Sequence, residues 1–397
     1  MRITDNTHLT YCTNIHPGQD WVTTFDSLKE HVPEIKSQVA KDKPFGLGLR
    51  LSNKASEELG LGERLSEFRK WLSDNDVYVF TMNGFPYGNF HDERVKDLVH
   101  APDWTTDERV TYTKRLFNQL SVVLPEDMEG GISTSPISYK YWYSSNDATK
   151  KAFTKAAENL TEIILHLYHL EAETGKYLHL DIEPEPDGMI ENSDEVLLFF
   201  SEYLVPIAKP ILKNILGKND AKAIALIHRY ITVCYDICHF SLAFEEPAAT
   251  FAKFSEAGIK VGKIQVSAAL KILFDPAGND AIWKALSQFN EPTYLHQVTE
   301  IIEGRVKTYN DLPIVLKNKK PFKELRAHFH VPIFLEQFGV LNSTQDHILK
   351  VFDYLKENTV SKHLEIETYT WDVLPLTLKK DLSESITREI EWLINKL

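Results

Sequence analysis

Cysteine is scarce in this chain of 397 residues, which has only Cys12, Cys234 and Cys238. Their number and spacing fit neither a disulfide framework nor a Cys-x-x-Cys pair. A basic stretch followed by an apolar one is also missing from the first residues, so no secretory signal is expected. These features predict a cytoplasmic protein.

Long uncharged apolar runs and an excess of positive charge are missing as well. The most apolar long segment, 196–212, contains Glu202 and Lys209, whereas a membrane-spanning helix needs about 18 apolar residues. We therefore expect no direct membrane insertion. Lys and Arg total 44 against 57 Asp and Glu, a formal net charge of −13. Such a surface repels phosphate backbones, so no nucleic acid partner is expected.

The residues that are present describe a globular α/β protein. Hydrophobic residues make up 43% of the chain and charged residues 25%, which allows a large core. Short apolar runs alternate with longer helical patterns, as in repeated β-α units around a parallel sheet. The predicted strands are 9–15, 45–51, 76–83, 130–135, 177–183, 231–237, 261–267 and 364–370. The predicted helices include 106–124, 148–174, 193–216, 344–358 and 383–397.

Eight strands with no linker between two halves favour one closed barrel over two domains. The sequence therefore predicts that residues 1–397 form a single (β/α)8 TIM barrel with long insertions at its C-terminal face. The main insertion is an excursion at about 271–325, between the seventh and eighth strands. Segments 294–301 and 326–333 are also candidate strands, which leaves a nine-strand alternative open. Functional residues of this fold lie at the C-terminal ends of the strands.

Carboxylates cluster at three of these predicted strand ends. Alternate residues of a strand share one face, so the acids of the fifth and of the eighth strand each form a row. Burying several carboxylates is costly, and a divalent cation is the usual compensation. A solvated acidic rim explains any single acid equally well, but three strand ends together favour a metal site. The acids are Asp181, Glu183, Glu185, Asp236, Glu365 and Glu367.

Histidines supply a second type of ligand. His328 and His330 are one residue apart on a predicted extended segment, so both imidazoles project to the same side. His239 follows Asp236 by three residues and adds a third nitrogen from a strand end. This set fits a zinc-like ion, although a His-x-His pair alone also arises by accident. Cys238 is expected to be a small buried filler rather than a nucleophile.

This succession of residues resembles the xylose-isomerase-like TIM-barrel superfamily, which includes sugar isomerases, epimerases and endonuclease IV. The residues that carry the likeness are Glu183, Asp236, His239, Gln265, His328, His330 and Glu367. The resemblance implies that residues of strands five to eight hold divalent metal. A closer resemblance, from about residue 8 onward, is to the EboE-type metabolite-traffic proteins. It is carried by segments 10–18, 83–91, 102–105, 131–136 and 367–371.

The chain also departs from these relatives. Where the nuclease branch has metal-binding His on strands three and four, this sequence has Asn83 and Ser133-Thr134-Ser135, so a complete trinuclear site is not expected. Gln265 replaces the epimerase His of strand seven, and its amide oxygen suits a hard cation better than zinc. Two metal sites are therefore predicted. The oxygen-rich one, for Mn²⁺ or Mg²⁺, comprises Glu183, Asp236, Gln265 and Glu367. The nitrogen-rich one, for zinc, comprises His239, His328 and His330.

Further polar and aromatic residues near the same strand ends are candidates for substrate contact. They are Asn14, His16, Asn83, Tyr87, His91 and Trp371. Loop stabilisation explains His91 equally well, and packing in the core is the commoner use of a residue such as Trp371.

Three functions fit these residues. The first is a metal-dependent isomerase or epimerase of a polyol-like molecule, in which Glu183 or Glu367 moves the proton. The second is a metal-dependent phosphoester hydrolase, and the third is a non-catalytic metabolite carrier or scaffold. The EboE-type resemblance implies handling of a secondary-metabolite precursor, with partner proteins of a metabolite-export pathway. The expected cofactor is Mn, Zn or Mg.

Overall fold

Strands and helices alternate along most of the chain. The computed structural model describes residues 1–4, 6–88, 96–275, 278–371 and 381–397. The strands are β1 (His8–Tyr11), β2 (Phe45–Arg50), β3 (Val77–Asn83), β4 (Gly130–Thr134), β5 (Leu178–Ile182), β6 (Ile231–Asp236), β7 (Val261–Val266), β8 (Ala268–Leu273), β9 (Val298–Ile302), β10 (Arg305–Tyr309), β11 (Glu324–Val331), β12 (Gln337–Phe338), β13 (Leu341–Ser343) and β14 (His363–Ile366).

Many of the helices begin at a polar residue that caps them. The helices are α1 (Trp21–Val39), α2 (Asn53–Leu59), α3 (Arg64–Asp74), α4 (Asp107–Val123), α5 (Asn146–Thr174), α6 (Ser193–Phe199), α7 (Val205–Leu216), α8 (Asp220–Tyr230), α9 (Ile237–Leu242), α10 (Pro247–Glu256), α11 (Asp280–Leu286), α12 (Leu312–Lys317), α13 (Gln345–Leu355) and α14 (Leu382–Ile394). A side-chain oxygen that accepts from the backbone N–H three residues on satisfies an otherwise unpaired donor. Such caps are Asp20, Ser52, Thr106, Ser145, Asn192, Asn219, Asp236 and Asp381. Within the described ranges, no helix is both long and apolar enough to span a membrane.

The parallel strands form a (β/α)8 TIM barrel, so the predicted fold is confirmed. Their order is β1-β14-β7-β6-β5-β4-β3-β2. The two end strands meet through a parallel bridge between Cys12 and Gly48, and the Gly48 N–H donates to the Thr10 hydroxyl at 2.8 Å. Gly48 is required at this seam because a Cβ there would collide with the Glu365 carboxylate. All eight predicted barrel strands are present, with ends shifted by a few residues.

The insertion between β7 and β14 is a second, antiparallel sheet in the order β10-β9-β11-β8-β13-β12. The candidate strands at 294–301 and 326–333 correspond to β9 and β11 of this sheet, so the nine-strand barrel alternative is wrong. The sheet extends from Ala268 to Ser343, beyond the expected 271–325, and only Ser267 separates the end of β7 from the start of β8. Its strand β11 brings His328 and His330 back to the barrel mouth.

The interior of the barrel contains polar and charged side chains below its mouth. Lys263 of β7 and Glu365 of β14 form an ion pair in which both side chains are completely buried. The Lys263 ammonium also lies 3.2 Å from the Ser133 hydroxyl. Asp181 faces the same interior and accepts from the Thr232 hydroxyl. Two of the acids expected at the mouth, Asp181 and Glu365, therefore lie one layer deeper.

Candidate metal centre

A cavity that opens to solvent lies at the C-terminal ends of the barrel strands. The barrel strands and the turns after them contribute polar groups to its wall, and the antiparallel insertion contributes the opposite side. The lining includes Asn14, Asn83, Phe85, Glu183, Glu185, His239, Tyr294, Leu295, Gln297, His328, His330, Glu367 and Tyr369. Five of the seven predicted metal ligands are therefore exposed to one cavity.

Gln265 lies at the centre of the oxygen-rich set. Its Nε2 is 3.1 Å from Glu183 Oε1 and 3.0 Å from Asp236 Oδ2, and it also donates to Glu367 Oε2. The amide oxygen points away and accepts from the Cys234 thiol at 3.3 Å. Three carboxylates from three strands thus converge on one amide nitrogen. Coordination of a cation through the amide oxygen requires rotation of this amide.

The surroundings of these three carboxyl groups shift their pKa values in different directions. Burial, followed by repulsion from neighbouring carboxylates, raises the pKa of Glu183 and of Glu367 well above the ordinary glutamate value. Burial alone would also raise the pKa of Asp236, but the nearby imidazoles of His239 and His330 and hydrogen bonds from Ser267 and Gln265 hold it below its usual value. A cation among the three would favour ionisation of all of them.

Asp236 connects the two predicted sites. It is the last residue of β6 and the N-cap of α9, and its Oδ1 accepts from the His239 N–H at 3.2 Å and from the Ser267 hydroxyl at 2.6 Å. The turn from strand to helix explains why an Asp and a His three residues apart share one site. One group of ligand atoms within 4.8 Å comprises Glu183, Asp236 and Glu367. A second comprises Asp236, His239 and His330.

Each imidazole of the nitrogen-rich set is oriented by an oxygen acceptor. Nδ1 of His239 lies 3.0 Å from the Pro184 carbonyl, Nδ1 of His328 lies 2.8 Å from Gln297 Oε1, and Nδ1 of His330 lies 2.7 Å from the Glu367 carbonyl. Because a carbonyl oxygen can only accept, each Nδ1 carries a proton, which leaves Nε2 as the nitrogen that can coordinate. Metal-binding histidines are oriented in this way.

The geometry of the bare nitrogens fits a metal ion. His239 Nε2 and His328 Nε2 are 3.1 Å apart, and two lone pairs at that distance repel unless a cation or a proton lies between them. Two nitrogens about 2.1 Å from one tetrahedral zinc ion are separated by about 3.4 Å. Two further atoms, Glu183 Oε2 and His330 Nε2, are buried without a hydrogen-bond partner in the part of the chain that the structure describes. The donors therefore fit divalent metal.

Two asparagines expected to bind substrate also orient Glu367. Asn14 Nδ2 and Asn83 Nδ2 lie 2.7 and 2.9 Å from Glu367 Oε1. The Asn83 oxygen in turn accepts from the Phe85 N–H at 3.1 Å, which fixes the amide orientation. Both asparagines line the cavity, so they can contact a ligand while holding this carboxyl group.

The other substrate candidates lie elsewhere. His16 is buried, with its Nε2 2.9 Å from the Tyr11 hydroxyl and its ring stacked on His31, and it lines a separate small recess. Tyr87 packs against Tyr112, and Trp371 is buried; neither lines the cavity. His91 lies outside the described residues.

The structure adds site residues that the strand-end pattern did not suggest. Gln297 fixes His328 and is itself fixed by donating to the Pro186 carbonyl at 3.1 Å. His100 Nε2 lies 3.0 Å from Glu185 Oε1, and both line the cavity. No sequence signal identified Gln297, which lies in the candidate strand 294–301, away from the ends of the barrel strands. Glu185 was visible in the acidic row of the fifth strand.

Comparison with known proteins gives matches among solved structures only. No protein-family model and no curated protein matches the chain. A xylose isomerase-like TIM barrel protein from Mycobacterium smegmatis, in complex with magnesium, superposes with a TM-score of 0.50 and 10% identity over 100% of this chain and 98% of its own. A D-tagatose 3-epimerase-like protein gives 0.49 and 10%, and an IOLI protein with a binding zinc atom gives 0.48 and 11%, each over 98% of both chains.

These matches concern the fold. The structural neighbours are xylose-isomerase-like TIM barrels, and they include proteins that hold magnesium or zinc. At 10–11% identity a similar fold carries many different chemistries. The closer resemblance to the EboE-type proteins receives no support from the comparisons.

Proposed function

We propose that this chain is a metal-dependent isomerase or epimerase of a small polyol-like molecule. The observation that carries the proposal is the position of the Glu183 and Glu367 carboxyl groups. They reach the Gln265 amide from β5 and β14, which lie on either side of β7 in the sheet. Two carboxyl groups fixed around one point can take a proton from a carbon and return it to another position.

Burial prepares both carboxyl groups for this role. Burial and the neighbouring carboxylates raise both pKa values, so in the metal-free site each group holds a proton more readily than an ordinary glutamate does, as suits a group that takes up and returns a proton. The hydrogen bonds from Asn14 and Asn83 occupy Glu367 Oε1 and leave Oε2 facing the centre of the site. Glu367 is therefore the better oriented base.

Glu183, Asp236 and Glu367 would hold one cation, with Gln265 adding its amide oxygen. Such oxygen ligands suit Mn²⁺ or Mg²⁺, whereas the imidazoles of His239 and the two insertion histidines suit zinc. A bound cation would polarise a carbonyl and its neighbouring hydroxyl, which acidifies the carbon between them.

The cavity wall favours a small, uncharged, hydroxyl-rich substrate. Phe85, Tyr294 and Tyr369 offer ring surfaces, and the asparagine amides offer donors. Lys96 also lines the cavity, but its ammonium lies 2.6 Å from the Asp311 carboxylate. An ammonium engaged in this way is poorly placed to bind a phosphate group.

The wider setting of the protein is part of the same proposal. In it, residues 1–397 act as one domain in the cytoplasm, on a polyol-like precursor of a secondary metabolite. Partner proteins of an export pathway would receive the product. The support for this part is the resemblance of segments such as 83–91 and 367–371 to the EboE-type proteins.

The test is a cation-dependent exchange assay. Purified protein is analysed for its metals, stripped, and reloaded with Mn²⁺, Mg²⁺ or Zn²⁺ in D₂O with a panel of ketoses, aldoses and phosphate esters. We expect deuterium to enter the carbon next to the carbonyl of at least one sugar, only when a cation is present. Glu367→Gln should abolish this exchange, and Glu162→Gln, on the exposed face of α5, should not.

Other outcomes would replace the proposal. Cation-dependent phosphate release without exchange would identify a phosphoester hydrolase, for which the sharing of Asp236 by two ligand groups is the supporting feature. Saturable sugar binding without exchange would identify a carrier. Protein that neither contains nor binds any of these cations would exclude a metal centre.

A further inference from the structure

A second cluster of ligand-type side chains lies at the opposite end of the barrel. Glu129 immediately precedes β4, His179 is the second residue of β5, and His363 is the first residue of β14. Because these strands are parallel, all three residues lie at the N-terminal end, away from the cavity. Each offers one ligand atom, and the three atoms lie within 4.8 Å of one another.

His179 is held as a metal-binding histidine is held. Its Nδ1 lies 2.5 Å from Asp181 Oδ1, and Asp181 is fixed by the Thr232 hydroxyl, which donates to the same oxygen. A carboxylate that accepts from Nδ1 leaves Nε2, directed away from the acid, as the nitrogen that can coordinate. This carboxylate–histidine arrangement is common behind zinc ligands.

The neighbouring strands make room for this pair. A Cβ at Gly131 of β4 would collide with the His179 ring, and a Cβ at Gly262 of β7 would collide with Asp181. The acid and the imidazole therefore occupy space that side chains of both adjacent strands leave free. Any other residue at either glycine would displace them.

His363 carries an unsatisfied nitrogen in this cluster. The side chain is 1% exposed, and its Nδ1 is buried without a hydrogen-bond partner among the described residues. Its ring stacks on that of His179, with 5.4 Å between centroids. A buried polar atom without a partner is unfavourable, because it has lost its hydrogen bonds to water.

Glu129 lies at the solvent-exposed edge of the cluster. It is about a fifth exposed, and its Oε2 lies 2.8 Å from the Lys362 ammonium, which leaves the other carboxylate oxygen for a ligand. A surface recess lined by Glu129, His179 and Lys260 gives access from outside. The positive charges of Lys260 and Lys362 repel a cation here, so we expect weaker binding than at a site without them.

We propose that Glu129, His179 and His363 bind one zinc-like divalent cation at the base of the barrel. Two imidazoles and one carboxylate are a ligand set that zinc accepts, with water in the fourth position. The ion would join three strands and supply the missing partner of His363. It takes no part in the reaction proposed for the cavity, and the inference does not depend on that reaction.

The test is zinc binding by the full-length chain. Metal-free parent protein, Glu129→Gln and His363→Gln are titrated with Zn²⁺ by calorimetry, and each is melted with and without zinc. Glu126→Gln, an exposed acid three residues away, is the matched control. We expect both cluster variants to lose one equivalent of zinc, or to bind it at least about 10-fold more weakly. The rise in melting temperature on addition of zinc should be correspondingly smaller in both cluster variants than in the parent.

Two results would overturn the proposal. One is an unchanged number of zinc equivalents with unchanged affinities in Glu129→Gln, a variant whose changed side chain is partly exposed and is not required for folding of the core. The other is the same loss in Glu126→Gln, which would show a general effect of charge. A parallel titration of His328→Ala identifies the equivalents that belong to the cavity, so failure of either site is recognised separately.

Discussion

His239 and His328 face each other across the mouth of the barrel, with 3.1 Å between their Nε2 atoms. Both rings donate through Nδ1, one to the Pro184 carbonyl and the other to Gln297. The two facing nitrogens therefore need a proton or a metal ion between them. Burial holds the pKa of His328 well below its usual range, so this ring does not supply that proton at neutral pH. A metal ion between the two nitrogens would resolve the contact.

The first prediction concerns the nitrogen-rich set. His328→Ala or His330→Ala should weaken zinc binding by about 10- to 100-fold or more, since loss of an orienting partner alone has an effect of that size. Competition with a chromophoric chelator measures the change. His166→Ala, on the surface of α5, serves as control. Unchanged zinc occupancy in both variants would mean that these histidines have only a structural role.

The second prediction concerns Gln265. Gln265→Glu places a fourth carboxylate among three, at a cost of roughly 2–4 kcal/mol in the absence of metal. We expect a lower melting temperature for the metal-free variant and a larger rise than in the parent when Mn²⁺ is added. An equal response to Mn²⁺ in both proteins would show that the cation does not bind beside Gln265.

The third prediction concerns the base. Glu367→Gln keeps the size of the side chain but removes a proton acceptor, so turnover should fall by about 10²- to 10⁴-fold with the fold intact. Asn83→Ala should reduce turnover less, because Asn14 still holds the carboxyl group. Turnover, ligand binding and melting temperature are measured on the same preparations. A Glu367→Gln protein that matches the parent in all three would exclude this residue from the site.

The fourth prediction concerns the buried ion pair of Lys263 and Glu365. Lys263→Met leaves the Glu365 charge unpaired in the barrel interior, which should cost about 3–5 kcal/mol of unfolding free energy. The double variant Lys263→Met/Glu365→Leu should recover most of this loss. Lys271→Met, which breaks a partly exposed pair with Asp346, should cost at most about 1 kcal/mol. Urea denaturation decides between these values, and a double variant as unstable as the single one would contradict the explanation.

The fifth prediction concerns pH. Glu389 of α14 is buried and accepts from the Thr368 hydroxyl and the Ile333 N–H, at 2.8 and 3.1 Å. Burial raises its pKa to about 8, whereas an unfolded glutamate titrates near 4.3. The folded state binds the proton more tightly, so its contribution to stability is full below about pH 4 and is lost as the pH rises to about 8.

Glu389→Gln cannot titrate and keeps an oxygen acceptor. We expect this variant to be more stable than the parent at pH 9, by roughly 1–4 kcal/mol, and similar to it at pH 4. Glu391→Gln, exposed on the same helix, should follow the parent at every pH. If the unfolding free energies of the parent and of Glu389→Gln change with pH in the same way across this range, Glu389 does not titrate as its burial implies.

Local patterns in the sequence determined where the barrel strands lie along the chain and which residue types stand at their ends. Apolar runs bounded by helical patterns predicted all eight strands, because this alternation is typical of repeated β-α units. The spacing of Asp236 and His239 likewise indicated a shared site, since a strand end that caps the next helix holds both. The spacing of His328 and His330 likewise indicated that these two residues share a site, on a strand of the insertion.

Only the tertiary structure decided which of these groups meet. Asp181, Glu183, Glu365 and Glu367 look alike in the sequence, but barrel closure brings Asp181 to Thr232 and Glu365 to Lys263 and leaves the other two at the mouth. Asn14 and Asn83 reach Glu367 across 353 and 284 residues, and His179 meets His363 at the base. Such contacts depend on strand order, stagger and depth within the barrel, which are set by closure of the whole sheet and leave no local pattern.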